Sequence, residues 1–221
     1  LLRDLREAAR TAAKEYADEL GLPEPLLVTT VKPEGTLSLL PVVSSGVHFS
    51  HAPYYVRRIR ISAQDPLVRV CEELGYPVYP EVGQSKTNAT VKVVEFPVKA
   101  PAGRIKAQVS AIEQLEIYRM FMEHYVDHNC SITVHVREGE WAAVEDWVWE
   151  HWDDVVGVTF LSLDDSFYDL MPYEEITQEE YEQRRAAMKP FIPSLISKYE
   201  KEEVELDVGS DGCESGVCPV R

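Results

Sequence analysis

Between residues 3 and 20, Leu5, Ala8, Ala9, Ala12, Ala13, Tyr16, Ala17 and Leu20 recur at intervals of three and four, with Gly21 and Pro23 just beyond. That periodicity predicts an amphipathic helix closed by a glycine. Residues 26–31 form a β-favouring run, a Pro-Glu-Gly-Thr turn follows, and the apolar stretch 37–40 predicts the first turn of a helix. Residues 54–61 interleave aromatic and β-branched residues with Arg57, Arg58 and Arg60, which predicts a strand with arginines at a salt-bridged surface or rim. Asp65 and Pro66 predict a helix start, carried to Leu74, and residues 77–80 an extended link. Residues 90–98 predict a strand, with Pro97 at its end or on a sheet edge. In residues 103–128, Ile112, Leu115, Tyr118, Met122, Tyr125 and Val126 make one stripe of a long helix. A strand at 131–136, a helix at 138–152 with Trp141, Val144, Val148 and Trp152 inward, and a strand at 155–161 follow. Residues 162–173 read as turns, and Thr177 with Glu180 three residues on starts a helix to Met188. Strand and helix alternate, so the fold class is α/β.

The chain has 221 residues, 45% of them hydrophobic and 10% aromatic, enough for a packed core. Residues 1–198 are expected to form that body. Residues 199–221 are acidic, then Gly/Ser-rich, with too few apolar side chains to offset the entropy of ordering; a mobile tether is expected. The formal charge of −16 argues against a nucleic-acid polymer or an anionic membrane as partner, because such surfaces need Lys and Arg. With no long apolar run and no signal peptide, a cytoplasmic protein is expected. The chain starts at Leu1, in mid-helix by pattern, so it is read as a piece of a longer protein.

Two stretches carry candidate chemistry. In the first, Pro33, Glu34, Gly35, Thr36, Leu37 and Ser38 place hydroxyls beside the amides of residues 35–38. Amides without partners at a helix N-terminus suit a phosphate group, with Lys32 as a further cation. The same residues also fit an ordinary strand-to-helix connection capped by Thr or Ser. In the second, Cys213 and Cys218 stand at the exposed end of the tail, where a small disulfide loop closes readily and stays open to thiol exchange. A zinc site would need further ligands, which the tail lacks, and Asp207, Asp211 and Glu214 would raise the thiol pKa. Cys71 and Cys130 read as buried free thiols. His48 and His51 could line a site, or be satisfied or exposed; His124 and His128 have metal-pair spacing but no third ligand. The tryptophans at 141, 147, 149 and 152 read as a helix face.

Taken together, residues 30–38, Ser44-Ser45-Gly46-Val47-His48, residues 51–60, the 157–161 strand, residues 172–177 and the terminal Cys213-x4-Cys218-Pro219 resemble the C-terminal portion of an adenosylcobalamin-dependent (class II) ribonucleoside-triphosphate reductase. The resemblance implies the second half of a ten-stranded α/β barrel with a flexible redox tail. It implies that the 33–38 loop binds the phosphates of a ribonucleotide substrate, and that Cys213 and Cys218 reduce an active-site disulfide and are themselves re-reduced by thioredoxin or a similar donor. The radical cysteine and the residues that bind most of the adenosylcobalamin would lie in the N-terminal half, without which the chain would be inactive; neither Cys71 nor Cys130 has the radical cysteine's context. The competing reading is a non-catalytic α/β interaction subunit whose tail thiols are redox-sensitive. A standalone thiol oxidoreductase fits less well, for want of a Cys-x-x-Cys at a helix start.

Overall fold

The computed structural model of the protein describes residues 1–163 and 168–200. In chain order the elements are α1 (Leu2–Leu20), β1 (Tyr54–Ser62), α2 (Pro66–Glu73), β2 (Val78–Pro80), β3 (Val91–Lys99), α3 (Ala111–His124), β4 (Ile132–Val136), α4 (Trp141–Glu150), β5 (Val158–Ser162), β6 (Tyr173–Glu175), α5 (Gln178–Ala187) and α6 (Ile196–Tyr199). The alternation is α/β, as the pattern predicts. The chain divides into two compact units, Leu1–Ser50 with Pro101–Ser166, and His51–Ala100 with Phe167–Arg221.

The first unit is built on the parallel pair β4 and β5, in register from Ile132 beside Val158 to Val136 beside Ser162. Helix α3 starts from a capping box, in which Ser110 Oγ accepts from the Glu113 N–H and the Glu113 carboxylate accepts from the Ser110 N–H. Its Ala111, Leu115 and Tyr118 are fully buried, in one core with Cys130, Val134 and Val136. Helix α1 ends at Gly21 in the left-handed conformation (φ 65°), as its position after the apolar stripe predicts. The helix is tied down by Asp127, which accepts from Arg6 Nε (2.9 Å) and Arg10 (2.8 Å) and, through its other oxygen, from the amides of Val28 and Thr29.

Two expectations fail in this unit. The 26–31 strand is reduced to a single parallel bridge, Val31 beside Cys130. In α4 the inward residues are Val144, Trp147 and, partly buried, Val148, whereas Trp152 has left the helix for a 3-10 turn and is 66% exposed, and Trp141 is 43% exposed. The apolar stripe of 138–152 was long enough for a helix, but not all of it finds a surface to cover.

The second unit is an antiparallel sheet in the order β2-β3-β1-β6. Strands β1 and β3 pair along their whole length, from Tyr54 opposite Lys99 to Ser62 opposite Val91. Asp65 caps α2 through the Leu67 N–H at 2.8 Å, with Pro66 at the first position, and Thr177 and Glu180 form the expected box on α5. Pro97 lies inside β3, opposite Val56, and not at its end. It is tolerated because β2 pairs only as far as Val94, so a donor missing at 97 costs no β2 ladder bond. Most of the 77–80 link is strand β2, and Tyr173–Glu175 adds strand β6 between the expected turns and the last helix.

Arg57 and Arg58 are another correction, since they are 4% and 7% exposed and not a rim. Arg58 faces Glu95 directly across the β1–β3 pair and donates to it at 2.7 Å; Glu174 and Arg184 complete the network. Burial of Arg58 is tolerable because its charge is paired and its donors are used.

Candidate functional site

The 33–38 loop begins where the chain leaves the first unit's sheet. Val31 makes the last sheet contacts, its N–H to the Asn129 carbonyl (3.2 Å) and its carbonyl from the Ser131 N–H (3.1 Å). Glu34 then takes a positive φ of 48°, and Leu37–Leu39 makes one 3-10 turn, not the helix start that the pattern suggested. The Ser38 N–H donates to the Glu34 carbonyl at 3.1 Å and Ser38 is buried, so of the four amides expected to face a ligand this one is spent within the loop. Gly35 is buried, Thr36 and Leu37 are exposed, and Lys32 is exposed at the loop's entrance.

The segment 44–48 lies against this loop. Gly46 has φ 53°, and a Cβ there would stand 2.6 Å from the Lys32 carbonyl oxygen and 3.4 Å from Pro33 Cα. Only glycine permits that approach. Two residues on, the His48 ring sits between two backbone partners, with Nδ1 2.9 Å from the Ser45 carbonyl and Nε2 accepting from the Thr133 N–H at 2.9 Å. Burial pushes its pKa down, against the Ser45 bond, which favours the charged form. His48 is therefore a satisfied, neutral histidine. Burial, followed by Lys106 and then His48, lowers His135 on β4 to about 4.

In the second unit His51 stacks on Tyr173 (centroids 5.6 Å apart, rings 19° from parallel), and the Arg57 guanidinium lies 4.4 Å from the centre of the Tyr173 ring. Burial, with Tyr173 next, holds the Tyr55 hydroxyl up at about 12, so it stays protonated. The described free thiols, Cys71 and Cys130, are buried, and burial raises both, Cys130 to about 12; neither is a ready nucleophile. Arg3 reaches the Nδ1 atom of His124. Among the described residues no three His, Cys, Asp or Glu side chains gather as a metal site, and no helix is long and apolar enough to cross a membrane. Cys213 and Cys218 lie outside the described residues.

Two histidines bear on whether these residues could ligate a cofactor's metal. The enclosed imidazole of His48 has both nitrogens engaged, and His151 has Nδ1 on the Trp147 carbonyl and its ring against the Trp147 indole at 4.3 Å. His48 therefore has no lone pair for a metal without giving up a partner, whereas His151 commits only Nδ1.

No family model matches the chain. Against curated proteins, it is 30% identical over its whole length to the adenosylcobalamin-dependent ribonucleoside-triphosphate reductase of Lactobacillus acidophilus, and 31% identical over 98% of its length to that of Levilactobacillus brevis. The chain is homologous to part of these reductases. It spans about 30% of the length of each of the two. A probable reductase of the same name from Dictyostelium discoideum is 33% identical over 80% of the chain, which covers 24% of that protein. Among solved structures, a B12-dependent (class II) ribonucleotide reductase matches 89% of the chain at 26% identity and a TM-score of 0.72; the chain covers 28% of it.

His48 and Gln114 were not legible as a pair. Gln114 projects from α3 so that its amide nitrogen donates to the His135 carbonyl and its oxygen accepts from the His135 N–H, both at 3.1 Å. The available signal was Gly46 two residues before a histidine, which points to a tight approach without saying to what.

Proposed function

We propose that this chain is the part of a B12-dependent ribonucleotide reductase that holds the substrate's phosphates and carries reducing equivalents, within an enzyme that converts ribonucleotides to deoxyribonucleotides by radical chemistry. The similarity along its entire length to reductases of that name supports the reading best. The substrate would meet the loop of Pro33, Glu34, Gly35, Thr36, Leu37 and Ser38 through main-chain N–H groups and the Thr36 hydroxyl, with Lys32 adding charge. The Ser38 N–H already serves Glu34, so Ser38 would contribute its hydroxyl and not its amide.

Cys213 and Cys218 would deliver electrons. One thiolate attacks a disulfide left in the active site, and a mixed disulfide forms as one active-site sulfur leaves and takes a proton. The second tail cysteine displaces the other active-site sulfur. The active site gains two electrons and two protons, and the tail becomes a Cys213–Cys218 disulfide. A dithiol protein such as thioredoxin reverses the change in the tail. Adenosylcobalamin would supply the radical and would be held chiefly by the N-terminal half, the partner that activity requires.

The test joins this chain to a candidate N-terminal half with adenosylcobalamin, a ribonucleoside triphosphate, and thioredoxin with its reductase. Deoxynucleotide formation that depends on both parts supports the proposal. Assembly without turnover, for every plausible partner, removes it.

A further inference from the structure

The edge of β4 that faces away from β5 carries the amides of Ser131, Thr133 and His135, and the three are satisfied in three different ways. Ser131 donates to the Val31 carbonyl, Thr133 to the His48 ring and His135 to the Gln114 amide. A main-chain neighbour therefore serves the first position only, and side chains replace a strand at the next two. The departure of the 32–38 loop from the sheet creates that need, because the chain that paired through Val31 is no longer beside Thr133. We infer that His48 is a positioning residue for the 32–38 loop, its ring clamping the 44–48 turn to the β4 edge so that Gly46 lies against the Lys32 carbonyl. The inference rests on the proposed reading of that loop as a phosphate site.

The geometry allows one ring state. Nδ1 must carry the proton to donate to Ser45, and Nε2 must be bare to accept from Thr133. Val47, beside it, is buried in the first unit's core, so the turn is held from both sides, and Gly46 leaves no slack against Lys32. A proton on Nε2 would set two donors against each other at Thr133 and release the turn. The titratable group coupled to His48 is His135 on β4, which also feels Lys106 in the Lys106–Gln108 turn, and a charge on His48 pushes His135 further down. The loop is thereby set in place at neutral pH and loosened in acid.

The test follows the full 221-residue chain by nuclear magnetic resonance from pH 7.5 to 4.5. Ring nitrogen shifts report His48, and amide shifts report Gly35, Thr36 and Leu37. The expected result is a neutral Nδ1–H tautomer at pH 7.5, and loop amides that move with the His48 midpoint, below 6.5, also in His135→Leu. Binding of inorganic tripolyphosphate should weaken about tenfold or more in His48→Phe, in line with the cost of a displaced binding group, and His48→Asn, which can still donate to Ser45, should recover part of it. Loop amides that ignore the His48 titration overturn the inference, as does a folded His48→Phe that binds as the parent does. If tripolyphosphate fails to bind the parent while the amides still follow His48, the positioning role stands and the phosphate reading fails.

Discussion

Asp127 does at one position what no local pattern announces. Its carboxylate, 1% exposed, accepts from two arginines of α1 and from the amides that open the extended segment before the loop. Burial would raise its pKa, but the Val28 amide, Arg6 and the Thr29 amide hold it well below the usual carboxylate range. Asp127→Ala leaves those donors unanswered and should destabilise the fold by about 2–4 kcal/mol, read from urea unfolding. His135 works in the opposite sense. Folding lowers it from 6.5 to about 4, so over that interval the unfolded chain binds the extra proton. Stability is complete above pH 6.5 and falls by up to ~1.4 kcal/mol per unit as the pH drops toward 4. His135→Leu should flatten that slope by about one proton, measured from unfolding midpoints across the range. Neither residue's role was legible in the sequence, because both depend on partners about 100 residues away or on burial.

At the scale of elements, local rules carried further. The Asp65-Pro66 start of α2, the Thr177/Glu180 box of α5 and the Gly21 stop of α1 all form where the sequence places them, since a cap needs only residues within one turn. Thr177→Ala should cost about 1 kcal/mol, with helicity lost first in α5, which hydrogen exchange would register. Patterns that depend on what an element packs against fared worse. Periodicity put Trp141 and Trp152 inside and Arg57 and Arg58 outside, and packing reversed both, while Arg60 stays exposed and paired with Glu81 as expected. The 26–31 run failed as a strand for a related reason, since β propensity cannot say where a neighbouring edge ends. Gly46 is where that shortened strand meets the turn that replaces it. Gly46→Ala combines a left-handed backbone with a Cβ 2.6 Å from a carbonyl oxygen, and should cost roughly 1–2 kcal/mol from the backbone alone, with the Gly35 and Thr36 amide shifts displaced.

For the whole molecule, the α/β class was legible from alternation, and the resemblance seen in residues 30–60 and 157–177 agrees with a relative that matches the entire chain and a solved structure that matches 89% of it. The barrel half and the role of the two terminal thiols belong to the proposal. In a reconstituted reductase, Cys213→Ser and Cys218→Ser should each abolish sustained turnover with thioredoxin while leaving substrate binding and activity with a small dithiol intact, because only relay through the tail is lost. The most direct measurement is deoxynucleotide formation when the chain is combined with an N-terminal half, adenosylcobalamin, a ribonucleoside triphosphate and the thioredoxin system. The account predicts product only with both parts present, and its loss when residues 35–37 are replaced by a sequence without glycine or hydroxyl. Undiminished turnover after that replacement would contradict the phosphate grip, and an assembled complex that makes no product would contradict the reductase itself.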